Sequence, residues 1–169
     1  MPSAYDYLFA FALLSRVSDL FTTWLVTPTL KLEANALARK FRWPFAFLTL
    51  FTAFFAYWWP EIAVVLTTTS FLVAGSNAMK IPMTRALGEE AYFRLIIESA
   101  AKEKFWPGLF ARLAPALFYA FLAFFIFFFF RTPDTWAFWI AYGVVTYVLA
   151  ILIHWTTAYI KFRKLGKAL

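Results

Sequence analysis

The charge in this chain is confined almost entirely to gaps. Five apolar stretches, at about 4–27, 44–58, 61–79, 109–130 and 135–160, alternate with short segments into which the lysines and arginines crowd. A run of about 20 apolar residues is long enough to cross the hydrocarbon core of a bilayer as a helix. Backbone in lipid must satisfy its own N–H and C=O groups, which restricts such runs to helices or closed barrels. The five are read as helices. Composition agrees: 63% of the 169 residues are hydrophobic, 23% are aromatic and 15% are charged, against about 25% charged in an ordinary soluble domain. The expected fold is all-α, one integral membrane domain over 1–169 with five transmembrane helices.

Prolines and tryptophans mark the ends. Pro28 closes the first stretch, because proline disfavours helix in the residue before it. The stretch at 44–58 is short for a span and uses Trp58 and Trp59 as its interfacial end. Pro60 turns the chain, and Glu61 stands where an acid suits a helix N-terminus. Pro82 and the Pro107-Gly108 pair bracket residues 83–105. There Leu87, Ala91 and Leu95 recur along one line, with Arg85, Glu89, Arg94 and Lys102 on the polar side. That segment is expected to be an amphipathic helix lying along the cytoplasmic interface.

Counting Lys and Arg fixes an orientation. With the N-terminus outside and the C-terminus inside, the first loop, the long second loop through Arg112 and the tail all face the cytoplasm. They hold 14 of the 16 Lys and Arg residues, and cytoplasmic loops are enriched in these residues. The net charge of +7 is therefore assigned to membrane topology rather than to nucleic acid. The expected partners are a bilayer with anionic lipid on its cytoplasmic side and other membrane-protein subunits. The N-terminus lacks the basic region of a cleavable signal. The sequence contains no cysteine and one histidine, which removes disulfides and multi-histidine metal centres. No cofactor is expected, although a bound lipid, quinone or pigment would suit so aromatic a chain.

The polar residues worth weighing lie within 15–39. Arg16 and Asp19 are three residues apart, hence on one helical face, where they can pair. Thr22 and Thr23 continue that face. An unpaired charge at mid-bilayer costs about 2.5–3.5 kcal/mol on insertion scales, so this face must turn inward. Asn77 on the third stretch is placed to meet it. Glu33, Asn35 and Arg39 form a second polar group in the cytoplasmic loop. Two readings stay open: an ion, proton or small-solute site, or an internal pair that fixes helix packing. His154 is a further candidate contact for a ligand or pigment, with a packed histidine as the alternative. With glycine inside the spans only at Gly75 and Gly143, helix contacts are expected to be bulky and aromatic.

The pattern Asp19-x-x-Thr22-Thr23, a proline turn, Glu33-Ala-Asn35 and Arg39, then two apolar stretches and Asn77, resembles an uncharacterised family of small bacterial and archaeal membrane proteins. The resemblance covers roughly 12–80 and departs at Ala36, where that family has proline. It implies a three-helix unit in a prokaryotic cytoplasmic (inner) membrane and no known activity. Separately, Glu89-Glu90-x-x-x-Arg94 is similar to the first motif of the CAAX-processing intramembrane proteases. Those enzymes need histidines on later helices, and the single His154 cannot supply them. The expected function is that of a non-catalytic accessory subunit of a larger membrane complex, with an ion or solute transporter using the Asp19 face as the alternative.

Overall fold

The computed structural model describes residues 1–33 and 36–168, and all regular structure in them is helical. Helix α1 (Ala4–Val26) starts from a capping box in which Ser3 and Asp6 exchange side-chain and backbone hydrogen bonds, which satisfies two of the orphan donors of the first turn. Helix α2 (Ala36–Leu48) leads into a 3-10 turn (Thr49–Phe54) and a short helix, α3 (Phe55–Trp58). Next come α4 (Pro60–Ala78), α5 (Ile81–Leu87), α6 (Glu89–Lys102) and α7 (Phe105–Phe129). The chain ends in α8 (Trp136–Ala150), a π-helical turn (Ile151–Trp155) and α9 (Thr156–Ala168).

Four helical stretches are long and apolar enough to cross a membrane: Ala4–Val26, Pro60–Leu87, Phe105–Phe129 and Trp136–Ala168. They correspond to the first, third, fourth and fifth apolar stretches of the sequence. The second, 44–58, is helical but interrupted. Arg42, at φ 58° and ψ −153°, kinks α2, and the 3-10 turn separates α2 from α3. The expected amphipathic helix over 83–105 is also corrected. Residues 81–87 form α5, in line with α4, and the amphipathic helix is α6, Glu89–Lys102. Gly88, at φ 78°, makes the break in a conformation that a Cβ would penalise. Glu89 and Glu90 then fall in the first turn of α6, where acid is favoured by the helix dipole.

In space, α1 packs on α4, α4 on α8, and α8 on α7. The 3-10 turn and α3 pack on α1 and touch α4, and α6 lies against α9. Tyr57 donates to Asp6 Oδ1 at 3.0 Å and ties the end of α3 to the start of α1. One end of the bundle holds this tie and the α7–α8 turn. The other holds α6, α9 and the basic loops.

The expectation of bulky aromatic contacts holds for part of the bundle: Tyr147, Tyr159 and Phe162 are buried, and rings meet between helices at Phe93–Phe162, Phe105–Tyr159 and Tyr119–Tyr147. Small residues fill much of the remaining seam, among them Ala12, Ser15, Ala56, Ala63, Ser70, Ala123 and Ala141. Other rings point outward, as at Phe118, Phe121, Phe124 and Phe128 along α7. Small residues let helix backbones approach where lipid offers no hydrophobic driving force. The crossing of α8 on α4 is the sharpest case. A Cβ on Gly143 would meet Thr68 Cβ at 2.5 Å and the Val65 carbonyl at 2.9 Å, and Thr69 donates to the Gly143 carbonyl at 3.0 Å.

Gly143→Val should therefore lower stability by about 1–3 kcal/mol through overpacking, read as a drop in the melting temperature of the detergent-solubilised protein. Gly75→Ala, where an added Cβ meets nothing within 4 Å, should leave that temperature unchanged or slightly raised.

Candidate functional site

The intramembrane polar residues form a row. Arg16 Nη1 and Asp19 Oδ2 are 4.0 Å apart, a loose pair. Arg16 also donates through Nε to Thr52 Oγ1 at 3.1 Å. Thr52, in the 3-10 turn, is a partner that sequence reasoning did not single out. Thr23 Oγ1 reaches Asp19 Oδ1 at 3.5 Å and accepts from Asn77 Nδ2 at 3.0 Å. Asn77 Oδ1 in turn accepts from Lys80 Nζ at 3.2 Å. The row thus runs Arg16, Asp19, Thr23, Asn77, Lys80, from mid-helix in α1 to the basic end of α4. Arg16, Asp19, Thr23 and Asn77 are brought together as expected. Thr22 is not part of the row, because its hydroxyl is turned back to the Ser18 and Asp19 carbonyls.

The row ends at a cavity of about 330 Å³ between α1, α4, α6 and the α8–α9 helix. Its polar lining includes Thr23, Glu33, Asn77, Lys80, Arg112 and His154, and its apolar walls include Val73, Ile96, Ile151 and Phe162. A mostly apolar hollow of a few hundred Å³ with a few convergent polar groups is the usual form of a small-molecule site. His154 reaches it from the π-helical turn Ile151–Trp155, and such turns are frequent at functional sites. Lys80 lies over the Trp155 ring, its Nζ 5.2 Å from the centroid. Arg112 is held by both Glu103 carboxylate oxygens and by the Gly108 carbonyl, and it stacks 4.7 Å from the Tyr159 ring centre.

Loop one folds back against the bundle, as a joint site with the Asp19 face requires. Leu32 and Glu33 line the cavity, and the Glu33 carboxylate is in electrostatic reach of both Asp19 and Lys80. Asn35 lies outside the described residues. Arg39 stands apart from the cavity lining, on the first turn of α2. Lys80, Arg112 and Trp155 were missed by sequence reasoning, since nothing in their local spacing marks them as convergent. Lys80 and Arg112 were counted only as loop charge.

Glu89 and Glu90 hold loop one in place. Glu89 accepts from the hydroxyls of Thr27 and Thr29, from Thr29 N at 3.2 Å and from Lys31 N at 3.4 Å. Glu90 pairs with Lys31 and with Arg94. The Lys31 ammonium and its hydrogen bond pull the Glu90 carboxyl below the usual glutamate range. Burial pushes the Tyr92 phenol up. The Glu-Glu-x-x-x-Arg run of the sequence is thus a latch between α6 and the loop after α1.

A second hollow, between α1 and α2, is lined by Val17, Leu20, Phe21, Trp24, Trp43, Phe47 and Leu50. Its polar side-chain atoms are the indole N–H groups of Trp24 and Trp43, and that of Trp43 is already given to the Pro28 carbonyl. Among the described residues no cluster of three or more His, Cys, Asp or Glu is placed to hold a metal. Comparison with protein-family models, with curated proteins and with solved structures gives no match.

Glu89→Ala should leave several loop donors without their acceptor, at about 1–3 kcal/mol for the buried ones. Trypsin should then cut after Lys31 faster than in the wild type. Because the Glu90 pKa is depressed, the link it makes to Lys31 is fully present above the unfolded-state value and is lost as pH falls through the lower folded value. An NMR titration of the Glu90 carboxyl should give a midpoint below that of an ordinary glutamate, and Lys31→Gln should raise it.

Proposed function

We propose that this protein is a non-catalytic multi-pass membrane protein that binds a membrane-soluble molecule in the cavity at the end of the Asp19–Lys80 row. The observation that carries this reading is the meeting of that row with apolar walls. Asn77, Lys80 and His154 line the same hollow as Val73, Ile151 and Phe162. Such a site suits an amphiphile with a small oxygen-bearing head and an apolar body, a lipid or quinone. It is less suited to a hydrated ion, which would want polar lining throughout.

The membrane is the cytoplasmic membrane of a prokaryote, with the N-terminus out and the C-terminus in. Sidedness rests on the 14 of 16 Lys and Arg residues in the basic loops and tail. The second apolar stretch then serves as a fifth span. Its 3-10 turn rises about 2.0 Å per residue against about 1.5 Å in an α-helix, so the stretch from Trp43 to Trp58 reaches about 27 Å, close to the thickness of a bilayer core. An accessory role in a larger complex is the second reading. It is favoured by the outward aromatic row on α7, where Phe121 is 67% and Phe124 65% exposed; lipid and a neighbouring subunit would both fit that surface.

The test is native mass spectrometry of the gently extracted protein. The wild type should retain about one amphiphile per chain. Ala150→Trp, which places a large side chain on the cavity wall, should lose that molecule while keeping its helix content. Retention in the variant would remove this reading. Stoichiometric co-purification of other membrane proteins would favour the second one.

A further inference from the structure

Several hydrogen-bond donors on the cavity wall lack an acceptor. The Lys80 ammonium carries three N–H bonds and gives one of them to Asn77 Oδ1, at 3.2 Å. The His154 ring and the Trp155 indole also line the hollow, and among the described residues neither side chain has a hydrogen-bond partner. These groups stand together. Lys80 Nζ is 5.2 Å from the Trp155 ring centre, and His154 is the preceding residue of the π-helical turn. The nearby hydroxyls are already engaged: Thr23 accepts from Asn77 and reaches Asp19, while Thr27 donates to Glu89 and accepts from Leu32 N. A donor facing an apolar hollow is unfavourable until an acceptor meets it.

The missing acceptor belongs to an uncharged head. Glu33 lines the same hollow, and its carboxylate acts on Lys80 and on Asp19, so the Lys80 charge is already opposed. Arg112, the other Lys or Arg among the described lining residues, is held by both Glu103 oxygens. A phosphate or carboxylate would enter beside Glu33 with no unopposed cation on that lining to meet it. An alcohol or glycerol head would bring further donors to a wall whose own are unmet. Flat side chains complete the wall, Tyr92, Tyr147, Trp155, Tyr159 and Phe162, and aromatic rings pack well against another ring in offset or edge-on arrangements. At about 330 Å³, the hollow lies at the lower end of the range of about 300–1,000 Å³ for ligand pockets. That size suits one ring and the start of a tail rather than two acyl chains.

We propose that the cavity takes a quinone, whose ring carbonyls accept from Lys80 and His154 and whose apolar tail lies along Val73, Ile96 and Ile151. This inference rests on the cavity reading above and names the head of the bound molecule. An oxidised quinone ring has two acceptor oxygens and no donor, which answers the unmet N–H groups. It is planar, which matches the flat walls. It carries no charge, so it can lie beside Glu33 without repulsion. The tail supplies the apolar surface that the aliphatic side chains need.

The experiment titrates the full-length chain in detergent with decylbenzoquinone, with decylbenzene of the same tail and with phosphatidylglycerol, each read by native mass spectrometry. The wild type should bind decylbenzoquinone about tenfold or more tighter than decylbenzene, the worth of one or two hydrogen bonds. Lys80→Met and His154→Phe should each weaken the quinone by about threefold to tenfold without weakening decylbenzene. Equal binding of the quinone and decylbenzene by the wild type would overturn the proposal, as would an unchanged quinone affinity in both variants. Should Lys80→Met fail to fold, His154→Phe carries the same comparison, because the ring it replaces makes no hydrogen bond to the described residues. Ala150→Trp separates this proposal from the reading beneath it. If the wild type holds phosphatidylglycerol more tightly than the quinone and Ala150→Trp loses that lipid, the cavity reading stands and the quinone assignment fails. If Ala150→Trp binds quinone and lipid as the wild type does, the cavity reading itself fails and the quinone assignment falls with it.

Discussion

An arginine and an aspartate in the middle of an apolar helix set the arrangement of everything around them. A charge at that depth costs about 2.5–3.5 kcal/mol on insertion scales, so α1 cannot turn the Arg16–Asp19 face to lipid cheaply. At 4.0 Å the pair is too loose to satisfy itself. The remaining needs are met from both sides of α1. Thr52 in the 3-10 turn takes the Arg16 Nε–H, and Thr23 and Asn77 extend the chain of hydrogen bonds from Asp19 toward α4. The 3-10 turn and α4 are thereby both held to α1, and α3 and the 3-10 turn also touch α4.

Close approach of the helices makes this row possible. Ser15 and Ser70 are fully buried, and Ala12, Ala63 and Ala74 share the buried surfaces of α1 and α4. With small side chains at the seam, the backbones come near enough for Thr23 and Asn77 to touch. The same device brings Gly143 onto Thr68 and Val65. Farther toward the basic end larger residues return, among them Ile96, Trp155, Tyr159 and Phe162, and the helices no longer close on one another. The cavity lies where that change occurs, and the row of polar groups reaches it because Lys80 extends one turn past Asn77.

Much of this was legible in the sequence. Alternation of apolar runs with basic gaps located the four helices that are long and apolar enough to cross a membrane, to within a few residues at most of their ends. The cost of intramembrane charge picked out Arg16, Asp19, Thr23 and Asn77 as one site. Three things were not legible. The break at Gly88 depends on a single positive φ inside a stretch whose polarity pattern runs on unchanged. Which rings pack, as Tyr147 and Tyr159 do, and which point outward, as Phe121 and Phe124 do, was hidden because apolar pattern does not distinguish an outward ring from a buried one, and alanine, easily passed over, marks much of the seam. The roles of Lys80 and Arg112 arise from convergence of α4, α7 and α9, which no local spacing records.

The central claim is that the polar face of α1 points into the protein and ends in a hollow reached from the basic side. The chain contains no cysteine, so an introduced one is the only thiol. Ser76→Cys places it on the cavity wall, and Phe124→Cys places a control on the outward face of α7. Membrane vesicles of each orientation are then treated with a membrane-impermeant maleimide. The thiol at position 76 should be labelled only where the basic loops face the reagent, and the one at 124 in neither orientation. Labelling of position 76 only from the opposite side, or no labelling of it from either, would contradict the account.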